Sequence, residues 1–387
     1  MAMPLNGTRR LRLGMVGGGP GAFIGAVHRI AARLDDHFEL VAGAFSSDPA
    51  KSKEIGATLQ LEPARIYDNF SAMARIESTR TDRIDAVAIV TPNHLHHAAA
   101  LTFLEAGIHV FCEKPMATSA ADAKDIVALT KRTGTLLGLA HTYSGYPMVR
   151  QAKAMVAAGE LGTIRLVHVE YLQDWLATAI EKTGNRQAEW RTDPERSGGA
   201  GCLGDIATHA FHLAEFVTGL RCQEIGAELT HFVTGRRVDD DVRILTRFDG
   251  GARGIIWSSQ VTPGHANGLR LRIYGESGAL EWFQEEPEKL RHSPLGAPSR
   301  VLLRGTTSDA GFLTRVPAGH PEGYLEAFGQ LYSDFAALIW SKLTQNPPPD
   351  TAYLLPTAED GLRGVRFIEA ALASSRANCC WTKINPD

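Results

Sequence analysis

The chain has 387 residues, 44% of them hydrophobic and 21% charged, with a net charge of −3 at pH 7. That length exceeds one ordinary hydrophobic core, so two domains are expected, and the near-neutral balance gives no electrostatic reason to bind nucleic acid or an anionic membrane. No stretch is apolar for the ~18 residues of a membrane helix, the start is not that of a secretory leader, and five cysteines without a Cys-x-x-Cys pair point to reduced thiols in a cytoplasm.

Residues 11–16, Leu-Arg-Leu-Gly-Met-Val, predict a strand. It runs into Gly17-Gly18-Gly19-Pro20-Gly21-Ala22 and then a helix through Ile24 to Leu34, and this loop with Phe23 and Ile24 supplies candidate cofactor contacts. Strand, glycine turn and helix are the context in which a glycine motif has meaning. The spacing Gly17-x-Gly19-x-x-Ala22 fits the dinucleotide fingerprint, in which bare backbone approaches a pyrophosphate at a helix N-terminus. Gly21 and Gly25 offer a second register. A second strand over 38–45 ends in Ser46-Ser47-Asp48-Pro49. An NAD fingerprint places an acid at this strand end, on the ribose 2′-hydroxyl. Here Ser46 takes that place, and Asp48 before Pro49 reads as the N-cap of the next helix. A serine pair removes the repulsion that excludes a 2′-phosphate, yet no arginine follows to bind one. NAD and NADP both stay open, with NAD slightly favoured.

A strand over 85–90 closes on Thr91-Pro92-Asn93-His94, and the helix after it carries His96 and His97. Pro92, Asn93 and His94 stand at a strand end and are candidate cofactor contacts. The apolar run 108–112 then meets Glu113-Lys114-Pro115. A buried parallel strand has such a run, and in an open α/β sheet ligands sit beyond the carboxyl ends of the strands. Glu113 and Lys114 therefore fall where a ligand would be. Pro115 biases Lys114 away from the helical region and holds it in a turn. The competing reading is a surface lysine after an edge strand. Ser119 caps a helix through 133, and a strand over 136–140 completes an alternation that predicts a doubly wound parallel sheet in a first domain, residues 1–142.

From 143 to 387 the pattern changes. A helix over 147–158 leads to an alternating run at 164–171, with further strands near 225–233, 241–248, 252–261, 268–275 and 278–283. Many strands in succession predict one large, mostly antiparallel open sheet. Within this domain Ser197-Gly198-Gly199-Ala200-Gly201 opens a helix that carries Asp205 and His209 four residues apart, on one helical face. A carboxylate beside an imidazole can orient it and raise its basicity. The competing reading is an acid that favours the helix dipole and an unrelated histidine. No metal is expected, since no Cys/His cluster supplies a third and fourth ligand. A long amphipathic helix follows Gly319-His320-Pro321, and a last helix over 357–375 is expected to pack back on a domain already formed.

In order and placement these motifs resemble the Gfo/Idh/MocA oxidoreductase family across nearly the whole chain. The glycine loop followed by Val27-His28-Arg29 is similar to a sugar-dehydrogenase branch of the levoglucosan type. The resemblance implies that Lys114, Asp205 and His209 form the catalytic set and that a nicotinamide cofactor exchanges hydride with a sugar or polyol. It implies a homodimer or homotetramer built on the second-domain sheet. Trp175, Trp190, Arg191 and His320 are then candidate substrate contacts, indole faces being suited to stacking on a sugar. An NAD-dependent glycosidase and a non-enzymatic dinucleotide sensor are the alternatives within the family. The joint presence of the lysine and histidine favours an enzyme.

Overall fold

The computed structural model describes residues 9–19, 22–306 and 314–384. The described chain divides into two compact units, one running to Gly145 and including Tyr324–Leu362, the other covering Tyr146–Gly323 and continuing from Arg363.

The first unit is built on β1 (Leu11–Gly17), β2 (Phe38–Ala44), β3 (Ala86–Val90), β4 (His109–Cys112) and β5 (Leu137–Leu139), all parallel, in the order β2-β1-β3-β4-β5. Every residue of β3, Ala-Val-Ala-Ile-Val, is buried, as expected of a strand covered on both faces. The helices between them are α1 (Phe23–Leu34), α2 (Pro49–Thr58), α3 (Phe70–Glu77), α4 (His96–Glu105) and α5 (Ala120–Thr133). Side-chain caps start three of them: Asp48 accepts from Ala50 N, Asn69 from Ala72 N and Ser119 from Asp122 N. The strand order reverses between β1 and β3, so the crevice for a ligand opens at their carboxyl ends, beside Gly17 and Thr91.

The second unit holds α6 (Pro147–Ala157), β6 (Ile164–Leu172), α7 (Arg186–Arg191), α8 (Pro194–Ser197), α9 (Thr208–Thr218), β7 (Cys222–Thr230), β8 (Asp241–Phe248), β9 (Arg253–Ser259), β10 (Gly268–Gly275), β11 (Gly278–Phe283), β12 (Lys289–Pro294) and β13 (Arg300–Leu303). With β14 (Thr382–Lys383) the strands form a nine-stranded sheet in the order β13-β12-β11-β10-β6-β9-β8-β7-β14. Its pairs are antiparallel except β6 with β9. Helices α6 and α9 pack on one face. On the other face, register sets Tyr274 opposite Leu166 and Leu245 opposite Ile255, of which Leu245 is 53% and Ile255 41% exposed.

One assignment differs from the sequence reading. The long helix α10 (Tyr324–Thr344) was expected in the second domain, and it belongs to the first unit. Its Phe328, Leu331, Tyr332, Phe335 and Ile339 share one core with Leu11, Leu13, Met15, Phe38 and Phe111, and the Tyr332 and Phe111 rings stack with centroids 4.3 Å apart. Spacing shows that this helix has an apolar stripe, but not which apolar sheet face the stripe covers. The last helix α11 (Ala358–Arg376) begins in the first unit and continues in the second from Arg363, where Phe367 stacks on Phe211 at 4.2 Å. Among the described residues no helix is long and apolar enough to cross a membrane.

Candidate functional site

At the end of β1 the backbone turns through Gly17 at φ 87° and Gly18 at φ 74°, a region that strains L side chains. A Cβ on Gly25 would lie 2.5 Å from Gly18 Cα, so the first turn of α1 presses glycine on glycine. A Cβ on Gly19 would meet Phe45 O at 2.9 Å. Ala22 N–H donates to Gly19 O at 3.0 Å and closes the turn. Such bare backbone at a helix start fits a pyrophosphate. Phe23 is 66% exposed at this edge, while Ile24 packs against the core. Pro20 and Gly21 lie outside the described residues.

At the end of β2, Ser46 Oγ accepts the Asp48 N–H at 3.1 Å. Asp48 Oδ1 is committed to the start of α2, accepting from Ala50 N at 3.0 Å and Lys51 N at 3.4 Å. Ser46 and Ser47 lie between the end of β2 and this cap. After β3, Pro92 and Asn93 enter a short 3₁₀ turn, with Asn93 buried and His94 exposed. After β4, Glu113 is buried. Burial raises its carboxyl pKa, but the hydrogen bond from His28 and the charges of His28, Lys114 and His96 outweigh that and hold it below the usual carboxylate range. The Lys114–Pro115 peptide is cis.

In the second unit the expected regular helical face is interrupted. Leu203–Ala207, which carries Asp205, is a π-helical turn, and α9 with His209 starts only at Thr208. The spacing of four residues therefore spans a junction, and the two side chains do not share one ideal α-helical stripe. Single π-turns inside helices recur at functional sites. Asp239 holds the start of this turn. Its Oδ1 accepts from Gly201 N at 2.8 Å, its Oδ2 from Leu203 N at 2.6 Å, and its carbonyl from Cys202 N at 2.9 Å. A Cβ on Gly201 would lie 2.2 Å from Asp239 O, so only glycine allows the approach. Burial, against these amide bonds, pushes the Asp239 carboxyl up to about 6.

Asp205 Oδ2 accepts from Gln260 Nε2 at 2.8 Å and lies 3.4 Å from Arg191 Nε. The Arg191 guanidinium sits 4.2 Å from the Trp190 ring centroid and 5.8 Å from that of Trp175. Trp175 Nε1 donates to Gln173 Oε1 at 3.0 Å. Gln173 Nε2 and Tyr171 Oη both donate to Asn267 Oδ1 at 2.8 Å, and the Tyr171 ring lies 6.3 Å from that of His209. The structure thus gathers Trp175, Trp190, Arg191 and Asp205 into one polar, indole-lined group. His320 is exposed, with hydrogen bonds to Pro317 O and from Arg304, and among the described residues no hydrogen bond joins it to that group. Sequence reading missed Tyr171, Gln173, Asn267, Gln260 and Asp239. Tyr171 and Gln173 lie at the carboxyl end of β6, and Gln260 follows β9. Only the parallel pairing of β6 with β9 brings those ends to one edge.

Elsewhere in the first unit, His97, Asp122 and Asp125 approach within 4.8 Å of one another. Opposite ring nitrogens face the two acids, Nδ1 toward Asp122 at 3.7 Å and Nε2 toward Asp125 at 3.6 Å, so the three groups do not converge through one imidazole nitrogen.

Residues 11–141 match the oxidoreductase family with NAD-binding Rossmann fold, and residues 149–281 match the GFO/IDH/MocA C-terminal domain. An oxidoreductase from Sinorhizobium meliloti is 48% identical, with a TM-score of 0.87 over 97% of this chain and 100% of that one. An inositol dehydrogenase homologue from Azotobacter vinelandii, complexed with NAD+, is 35% identical, with a TM-score of 0.93 over 98% and 99% of the two chains. An inositol dehydrogenase homologue from Azotobacter vinelandii complexed with NADH and myo-inositol is 34% identical, with a TM-score of 0.89 over 97% and 98% of the two chains. Levoglucosan dehydrogenase from Pseudarthrobacter phenanthrenivorans is 30% identical over 308 residues, 73% of this chain and 76% of that one. The chain therefore belongs to the Gfo/Idh/MocA family of oxidoreductases, with an N-terminal NAD-binding Rossmann domain.

Proposed function

We propose that the protein is a dehydrogenase that oxidises a secondary hydroxyl of a sugar or polyol and uses NAD at least as well as NADP. One observation carries the substrate class. Around Asp205 the second unit arranges Gln260, Arg191 and Gln173 with two indole faces, a dense set of donors and acceptors beside stacking surfaces. A polyhydroxylated ring needs that combination, and an apolar alcohol does not. The myo-inositol complex of the Azotobacter homologue and the activity named for levoglucosan dehydrogenase support the same class.

The backbone of Gly17, Gly18 and Gly19, Ala22 and the first turn of α1 would hold the cofactor pyrophosphate, and Ser46 and Ser47 the adenosine ribose. Pro92, Asn93 and His94 would line the cofactor crevice near the switch point. When bound, the nicotinamide supplies the hydride acceptor. His209 takes the substrate hydroxyl proton, as an imidazole placed for general base catalysis can. Asp205, steadied by Gln260 and Arg191, orients that imidazole and accepts from a neighbouring substrate hydroxyl. Lys114 donates to the reacting oxygen and stabilises the charge that develops on it. Asp48 is occupied as a helix cap and no arginine adjoins the serine pair, which supports NAD use without excluding NADP. The exposed apolar face of the nine-stranded sheet supports a homodimer or homotetramer assembled there.

The test is a panel of sugars and polyols, each with NAD and with NADP, followed by absorbance of the reduced nicotinamide. Stoichiometric reduction on at least one polyol is expected. Cleavage of a glycoside without net reduction would replace this reading with the glycosidase one.

A further inference from the structure

Glu113 N–H still donates to Ile89 O at 3.0 Å, and beyond this point the main chain leaves the sheet through Lys114 and Pro115. Two fully buried histidines from different helices hold it there. His28, in α1, places Nε2 3.0 Å from Glu113 Oε1 and Nδ1 2.7 Å from Tyr332 Oη. An ionised Glu113 only accepts, so His28 Nε2–H donates to it, while Nδ1 shares the second hydrogen bond with the Tyr332 hydroxyl. Burial, with the nearby charge of Glu113, raises the Tyr332 phenol well above its usual range and keeps it a donor. Glu113 Oε2 in turn accepts the Lys114 N–H at 3.1 Å. On the other side of the lysine, His96 places Nδ1 2.8 Å from Pro115 O and Nε2 2.8 Å from Thr91 O. It therefore ties the turn after Lys114 to the end of β3. Its neutral ring donates to one of these carbonyls, its protonated ring to both.

We propose that His28 and His96 are positioning residues for Lys114: they fix the main chain immediately before and after it, and through that the place where its ammonium acts. The proposal rests on the reading of Lys114 as donor to the reacting oxygen. The requirement is physical. A misplacement of a catalytic group by ~1 Å costs on the order of 10²-fold in rate. An isolated turn beyond a strand end does not meet that tolerance unaided. The line Tyr332 to His28 to Glu113 to the Lys114 N–H also joins α10, α1 and the end of β4, and so couples the cofactor-facing helix to the lysine.

A double-mutant cycle in the full-length protein tests it. His28→Ala and His96→Ala should each lower kcat about 10–100-fold, with the NADH dissociation constant from fluorescence titration changed less than about threefold. In a Lys114→Ala background the same substitutions should change kcat less than about threefold, because the group they position is gone. His28→Gln should recover most of the turnover, since its amide donates to Glu113 and its oxygen accepts from Tyr332. Hydrogen exchange supplies a readout independent of turnover: the Lys114 amide should exchange on the order of tenfold faster in His28→Ala. Should the alanine variants fail to fold, Tyr332→Phe removes only the hydroxyl that orients His28. It should cost several-fold in kcat in the wild-type background and nothing in Lys114→Ala. Costs that multiply in the Lys114→Ala background, or unaltered kcat in the histidine variants, overturn the clamp alone. Full turnover in Lys114→Ala itself overturns the catalytic reading, and the clamp with it.

Discussion

Replacing Asp239 by Asn separates charge from shape at the root of the π-turn. The carboxyl is buried, accepts two backbone amides at 2.8 Å and 2.6 Å, and is pushed up from 3.8 to about 6, chiefly by burial. In the interval between those values the folded protein keeps the proton and the unfolded chain releases it. The stabilisation linked to this group is therefore complete below about pH 4 and is lost as the pH rises through 6. A displacement of about two units corresponds to about 3 kcal/mol over the whole range. About half of it, roughly 1–1.5 kcal/mol, falls between pH 5 and 8, where most other carboxylates are already ionised. Asn cannot titrate, and it turns one acceptor into a donor that faces an amide, a constant cost of about 1–3 kcal/mol. Urea unfolding followed by tryptophan emission reports mainly on the second unit, since Trp340 alone of the six tryptophans lies in the first. The stability advantage of the wild type over Asp239→Asn should shrink by roughly 1–1.5 kcal/mol between pH 5 and 8. A flat difference, or one that grows with pH, refutes the displaced carboxyl.

The remaining predictions concern chemistry and assembly. His209→Ala should cut turnover by roughly 10²–10⁴-fold while cofactor affinity holds, and near-normal turnover would remove it as the base. Ser46→Asp should weaken kcat/KM with NADP far more than with NAD, by charge repulsion at the 2′ position. An unchanged cofactor ratio would mean that the ribose lies elsewhere. Ile255→Glu, placed on the exposed sheet face beside Leu245, should lower the mass seen by light scattering; a wild type that is already monomeric at micromolar concentration refutes assembly on that face.

Much of the first unit was legible because its signals are local. The strand at 11–16, the glycine turn, the Asp48 cap with Pro49 and the apolar run into Glu113-Lys114-Pro115 each depend on residues within a dozen positions of one another. Backbone φ preferences, caps and strand periodicity act over that range. The motif residues Lys114, Asp205 and His209 could likewise be named from their neighbours. What lay between distant segments could not. That α10 completes the first core, that β6 and β9 run parallel and bring Gln173 and Gln260 to one edge, and that Asp239 reaches back to Gly201 and Leu203 were decided by the tertiary structure. His28 could be read only as part of a loop signature and His96 as a helix residue. Their partners, Tyr332 and Pro115, are 304 and 19 positions away. An apolar stripe or a lone polar side chain announces that it needs a partner. Which surface or atom satisfies it depends on where folding brings chain that is remote in sequence.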